Sequence, residues 1–109
     1  MKLLVLFAAA LVAAQVWMAV PAAPAADKSP SGESLFKTHC AVCHPGGGNI
    51  VNPAKTLHKK DREKNGIAKP DEVIGRMRNP GPGMTKFDEK TISDAEARQV
   101  AEYILKTFN

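Results

Sequence analysis

The chain has 109 residues, which is enough for one small domain. It carries 15 Lys and Arg against 11 Asp and Glu, a formal net charge of +4. This excess is mild and its charges are interspersed, as in residues 59–64, so we predict a solvated helix surface there and no nucleic-acid binding. The sequence contains two cysteines, and both belong to one short motif.

Residues 1–25 have the pattern of a secretory signal peptide. A basic residue, Lys2, precedes the apolar run Leu3–Val20, and Ala23-Pro24-Ala25 fits the small-residue cleavage rule. An uncleaved membrane anchor is the alternative, although the run is near the lower length limit for a span and is interrupted by a glutamine. Both interpretations place the predicted domain, residues 26–109, on the exported side of a membrane.

After this segment, apolar spacing predicts helices and loops, without the alternating pattern typical of strands. Ser29 is predicted to cap the first helix, with Pro30 at its first position. Leu35 and Phe36 continue the helical spacing, and the helix is predicted to run into the segment 40–44.

That segment, Cys40-Ala41-Val42-Cys43-His44, is a C-x-x-C-H motif, the attachment signature of a c-type haem. Two thiols at this spacing can each add to a vinyl group on one porphyrin edge, and the adjacent imidazole can bind the iron. A zinc site would need a second ligand pair at matching spacing, and only His39 and His58 remain. A thioredoxin-like dithiol would need a βαβ pattern, which is absent. We therefore predict one covalently bound haem c per chain.

The middle of the chain is predicted to alternate loops with short helices. Pro45–Asn49 is predicted to be loop, because a proline and three glycines would break a helix. Residues 54–65 are predicted to form a short polar helix or two, ended by Asn65-Gly66. A third helix is predicted to start at Pro70 and to stop at Asn79–Gly83. Its predicted apolar side consists of Val73, Ile74 and Met77.

The last helix has the clearest pattern of all. Ser93-Asp94-Ala95-Glu96 is predicted to form a capping box. Apolar residues then follow the i, i+3, i+4, i+7 spacing of a buried helix face. These residues are Ala97, Val100, Ala101, Ile104, Leu105 and Phe108.

A haem iron held by one histidine needs a second ligand, and thioether sulfur is a soft donor that raises the reduction potential. Met84 follows the glycine-containing loop 80–83, which lets the backbone approach a flat ring, and it is the predicted ligand. Met77 has helical core spacing and is predicted to pack in the core or against the haem. His39 and His58 remain as alternatives. His39 lies on the helix of the motif itself, and His58 lies in a polar, Lys-rich segment.

These features together resemble a known family. Gly32-Glu33-Ser34-Leu35-Phe36, followed by Cys40–His44, resembles the opening of a class I cytochrome c. The rest of the chain is most similar to the small cytochromes that replace plastocyanin in cyanobacteria and algae, and to their non-photosynthetic bacterial relatives. The segments that carry this similarity are Gly46–Val51, Lys55–Leu57, Asn79–Phe87 and Ser93–Leu105. One departure is Met84-Thr85-Lys86-Phe87, where the family has Met-Pro-Ala-Phe.

The resemblance implies an all-α fold, with about four helices around one haem and with the first and last helices crossing where Gly32 and Phe36 meet Tyr103. It implies that His44 and Met84 are the axial ligands. Because both axial positions would be filled by protein ligands, the chemistry left to the iron is outer-sphere transfer of one electron through the exposed haem edge, cycling between Fe(III) and Fe(II). We thus expect a monomeric electron carrier that is not an enzyme, located in a bacterial periplasm or, in a photosynthetic organism, a thylakoid lumen.

The expected partners are redox proteins that dock at the haem edge. The protein is expected to contact a membrane only at its partner complexes or through an uncleaved anchor. Pro53 is predicted to accept a hydrogen bond from the ring of His44. Arg76 occupies the position of a glutamine near the haem edge in the photosynthetic members. The predicted docking surface is weakly polar and consists of Val42, Pro45, Met77, Thr85 and Lys86.

Two other functions stay open at this point. In a haem gas sensor or a peroxidase-like protein, Met84 would be absent from the iron or would leave it. In a tethered subunit of a larger respiratory complex, residues 1–25 would remain as an anchor.

Overall fold

The secondary structure is helical. The computed structural model describes residues 18–20 and 30–109, so the predicted signal peptide falls almost wholly outside the described residues. The described part contains no strand. Its helices are α1 (Gly32–His39), α2 (Lys59–Lys64), α3 (Pro70–Arg78) and α4 (Asp94–Thr107). The predicted all-α fold of about four helices is confirmed. None of the helices in these residues is both long and apolar enough to cross a membrane.

Helix α1 begins two residues later than predicted. Ser31 is the N-cap, and its hydroxyl accepts a hydrogen bond from Ser34 N at 3.1 Å, which satisfies a donor of the first turn. Ser29 lies outside the described residues, and Pro30 precedes the cap. The helix also ends at His39 rather than continuing through the motif, so the motif lies on the turns that follow.

Helix α4 has the predicted capping box. Ser93 Oγ accepts from Glu96 N at 3.2 Å, and the Glu96 carboxylate accepts from Ser93 N at 3.1 Å. The predicted apolar face is buried, with Phe108 just beyond the helix end and Leu105 only half-buried. Ile92 and Val100 are completely covered, and burial of each such side chain contributes about 1.5–3 kcal/mol. This face makes α4 the centre of the core.

Helices α2 and α3 have different environments. Helix α3 begins at Pro70 as predicted, with Asp71 and Glu72 in its first turn, and it buries Val73 and Met77 against α4. Helix α2 is a short charged helix that covers only Lys59–Lys64 of the predicted segment 54–65, with Asn65 as its C-cap and Gly66 following at φ of +75°. The segment predicted to be loop after the motif includes a 3-10 turn at Pro45–Gly47, because proline is tolerated at the start of a helical turn.

Helices α1 and α4 cross at Gly32, as the resemblance implied. A Cβ atom on Gly32 would overlap the backbone carbonyl oxygen of Gln99. Beside this contact the rings of Phe36 and Tyr103 pack with their centroids 5.4 Å apart. The close approach of the two backbones therefore requires a residue without a side chain at position 32.

We expect the substitution Gly32→Ala to destabilise the protein by about 1–3 kcal/mol, because the added methyl group overlaps backbone and forces the two helices apart. Denaturant unfolding of the two proteins measures this difference. Gly75→Ala is the matched control, since a Cβ there meets no atom within 4 Å and alanine favours a helix by about 0.5–1 kcal/mol over glycine. Equal losses of stability in the two variants would contradict the crossing argument.

Candidate haem site

All four helices contribute residues to one cleft, together with the loops before α2 and after α3. Its cavity volume is about 190 Å³. Helix α4 supplies Val100 and Ile104 to the floor, and α3 supplies Val73 and Met77. Met77 is 3% exposed, so it belongs to the core and the cleft wall as predicted, and its assignment to the docking surface was wrong. The other large apolar lining residues are Val42, Val51, Leu57, Ile67, Pro82, Met84 and Phe87.

The two cysteines lie on consecutive turns at the end of α1. Cys40 N and Ala41 N both donate to Phe36 O, and His44 N donates to Cys40 O at 2.9 Å. This winding keeps the two thiols and the imidazole on one stretch of the cleft wall. Cys40 is 9% exposed, and burial raises the pKa of its thiol to about 11, whereas Cys43 is half-buried.

The ring of His44 is held by the backbone of the following turn. Its Nδ1 lies 2.7 Å from the carbonyl oxygen of Gly48. A carbonyl can only accept, so Nδ1 donates in this bond, and in the neutral imidazole Nε2 then has the free lone pair that an iron ligand needs. The prediction that Pro53 would accept this bond was wrong, because the positive φ angles of Gly46 (+59°) and Gly47 (+81°) turn the chain back and bring Gly48 to the ring first.

Met84 reaches the same cleft from the loop that connects α3 to α4. It is half-buried, and it follows Gly83, whose φ is +88°. Phe87, three residues further on, is buried and donates its backbone N–H to Met77 O at 2.9 Å. Residues from two separate segments, 40–44 and 81–87, therefore meet in one cleft.

The two alternative histidines have different positions. His39 lines the cleft and is half-buried, with its ring edge-on to Phe87 at a centroid distance of 6.0 Å. His58 is exposed before α2, and its ring packs against Phe108 at 6.0 Å, away from the cleft lining. Within residues 30–109, no group of three His, Cys, Asp or Glu side chains comes together as a metal site.

Arg62 is the residue that sequence reasoning missed. The segment around it was predicted to be a solvated surface, but Arg62 is 4% exposed and lines the cleft. Its Nε donates to Leu57 O at 2.6 Å, and its Nη2 donates to Phe108 O at 3.0 Å. Burial lowers the pKa of this guanidinium, which nevertheless remains charged. One feature of the sequence could have predicted this burial. Helix α2 contains no apolar residue, so a side of the helix that packs inward must bury a charged side chain.

The charged side chains that line the cleft are all positive. Lys55, Arg62 and Arg76 line it, and the described lining contains no carboxylate. A haem is a flat apolar ring with two carboxylates at one edge, so an apolar cleft with fixed cations suits it. The two thiols of the C-x-x-C-H motif and the adjacent imidazole line the same cleft and complete the donor set. The residues present thus fit a covalently bound haem.

Comparisons with known proteins agree with this geometry. The family model described as cytochrome c oxidase, cbb3-type, subunit III matches residues 27–104. The chain is 42% identical over 88 residues to a cytochrome c6 of Rippkaea orientalis, covering 81% of this chain and 78% of that protein. Among solved structures it is similar to OmcF, the outer membrane cytochrome F of Geobacter sulfurreducens, with a TM-score of 0.71, 49% identity and coverage of 72% of this chain and 100% of that one.

A further solved structure, cytochrome c6 of the diatom Phaeodactylum tricornutum, has a TM-score of 0.64 at 34% identity, covering 69% of this chain and 87% of that one. The family match spans most of the described region and includes the C-x-x-C-H motif. Together with the four-helix fold and the cleft, they show that the chain belongs to the class I c-type cytochromes, resembles the cytochrome c6 group, and is an electron carrier.

Proposed function

We propose that residues 26–109 form an exported monohaem carrier in which Cys40 and Cys43 hold the haem covalently and His44 and Met84 ligate its iron. One observation carries this proposal, the meeting of these four side chains in a single cleft. When bound, haem supplies an iron that changes its charge by one electron. The protein's task is to hold both ligands fixed during that change, so that little reorganisation accompanies electron transfer.

Each of the proposed ligands is prepared by its surroundings. The hydrogen bond from His44 Nδ1 to Gly48 O fixes the tautomer and the orientation of the imidazole, and it increases the donor strength of Nε2. The apolar lining excludes water from the cleft, while Arg62 and the other cations favour a cofactor with negative groups. A position filled by Met84 leaves no open coordination site, which supports a carrier over an enzyme or a gas sensor.

The proposed partners are redox proteins that contact the mouth of the cleft. Val42 is 76% exposed, and Pro45, Thr85 and Lys86 are also exposed. A small, weakly polar surface of this kind suits a short-lived complex that releases its partner after one electron. We further propose that the carrier is monomeric and does not bind nucleic acid, and that it acts in a bacterial periplasm or a thylakoid lumen after removal of residues 1–25.

The experiment is intact-mass and absorption analysis of the protein produced by a host that matures c-type cytochromes. We expect the mature chain to begin at residue 26 and to carry the mass of one haem, which stays attached after denaturation. The variant Cys40→Ser with Cys43→Ser is expected to carry no covalent haem. A wild-type chain without covalent haem would refute the proposal. A mature protein that keeps residues 1–25 would instead favour a membrane-tethered carrier.

A further inference from the structure

The loop that carries Met84 has few hydrogen bonds of its own. Residues 80–86 make a single backbone bond in the described structure, from Met84 N to Gly81 O, and at 3.4 Å it is long. The carboxylate of Asp88 accepts from the backbone of Lys90 and Thr91 and from the Thr91 hydroxyl. These bonds organise the C-terminal end of the loop locally, without connecting it to a helix. The hydrogen bonds that can hold the Met84 loop on the helices therefore lie at its ends.

Phe87 is where the loop is attached to the rest of the fold. Its N–H donates to Met77 O at 2.9 Å, and its carbonyl accepts from Arg78 Nη1 at 3.0 Å. Both groups of one peptide segment are thus bound to the last turn of α3. The ring of Phe87 is buried in the core, which adds an apolar anchor to the two hydrogen bonds.

Arg78 connects this attachment point to the start of α4. Its Nη2 donates to Asp94 Oδ1 at 2.8 Å, so one planar guanidinium joins the end of α3, the loop and the first residue of α4. The Arg78 side chain is 17% exposed, whereas that of Asp94 is 76% exposed. Hydrogen bonds made by a charged donor are stronger than those between neutral groups, and partial shielding from water favours the bond to Phe87.

We propose that Arg78 is a positioning residue that holds the methionine loop, residues 79–87, closed over the cleft and so keeps Met84 in place as the second axial ligand. The proposal rests on the ligand set given under Proposed function. Withdrawal of Met84 requires the loop to open, which breaks the hydrogen bonds of Phe87. The free-energy cost of this opening is higher when Arg78 is present than when it is replaced. Loss of Arg78 should therefore make it easier for another ligand to replace Met84.

The test is a titration of the oxidised holoprotein with imidazole, which competes with methionine sulfur for ferric haem. For Arg78→Gln we expect at least about tenfold tighter imidazole binding than for the wild type, equivalent to about 1.4 kcal/mol. The sulfur-to-iron absorption band should therefore disappear at a lower imidazole concentration. Arg98→Gln is the matched control. It breaks the exposed pair between Arg98 and Asp71, which joins the same two helices without touching the loop.

Arg78→Lys is the second variant, in case Arg78→Gln reduces the helix content seen by circular dichroism. Lysine keeps the charge but cannot serve Phe87 O and Asp94 with one planar group, so we expect an intermediate imidazole affinity. Wild-type affinity in Arg78→Lys and in a folded Arg78→Gln would overturn the proposal. A wild-type protein without the sulfur-to-iron band would instead refute Met84 as the ligand, so the two failures are distinct.

Discussion

Replacing Met84 by alanine is expected to convert a closed iron site into one that binds carbon monoxide. The loop backbone stays attached through Phe87 and, with Met84 as the second ligand as proposed, no side chain then fills its place at the iron. The oxidised protein should lose its sulfur-to-iron band, and the reduction potential should fall, because a thioether ligand favours the reduced ion. Mixing the reduced protein with carbon monoxide and recording its absorption spectrum measures the change.

Met77→Ala is the control for this experiment. Met77 lines the same cleft but is 3% exposed in the core, so its truncation leaves a cavity. We expect it to lower the free energy of unfolding by about 2–5 kcal/mol while the sulfur-to-iron band persists. Carbon monoxide binding by Met77→Ala but not by Met84→Ala would reverse the assignment of the two methionines.

The second large effect is expected for Arg62→Leu. This substitution keeps most of the buried volume but removes the donors to Leu57 O and Phe108 O. Each bond to a charged donor contributes about 1.5–3 kcal/mol, so a loss of about 3 kcal/mol in the free energy of unfolding is expected. Thermal or denaturant unfolding of the holoprotein measures this loss.

Lys59→Ala in the same helix serves as the control for Arg62. Lys59 pairs with Glu63 one turn away, but both side chains are more than half exposed, so the pair contributes only about 0.3–0.5 kcal/mol. A stability loss in Arg62→Leu as small as that in Lys59→Ala would show that the buried guanidinium is not needed to join α2 to the end of α4.

The parts of the fold that the sequence predicted well are those in which the signal is local. The capping box of α4 and the start of α3 at Pro70 follow from a few adjacent residues, and both are confirmed. Gly32 was placed at the crossing by resemblance, and the distance to Gln99 O gives the physical reason. The start of α1 was wrong because Ser29 and Ser31 are both good caps, and sequence alone does not rank them.

The parts that could not be predicted depend on tertiary contacts. Whether His44 bonds to Gly48 or to Pro53 depends on backbone angles in a glycine-rich turn, which residue types alone do not determine. Arg62 looked like a surface residue because all its neighbours in α2 are charged, and only the docking of α2 onto Phe108 buries it. Arg78 gave no signal, since its two partners lie 9 and 16 positions away.

The burial of Cys40 has a consequence for the order in which this protein is made. The attacking group in thioether formation is the thiolate, and in the closed core the thiol is covered and its pKa is about 11. On the proposed attachment of haem through Cys40, the thiol would therefore react more slowly in the closed fold than in an open chain. We therefore expect attachment to precede the docking of α1 against α4, and closure of the core would then cover the linkage.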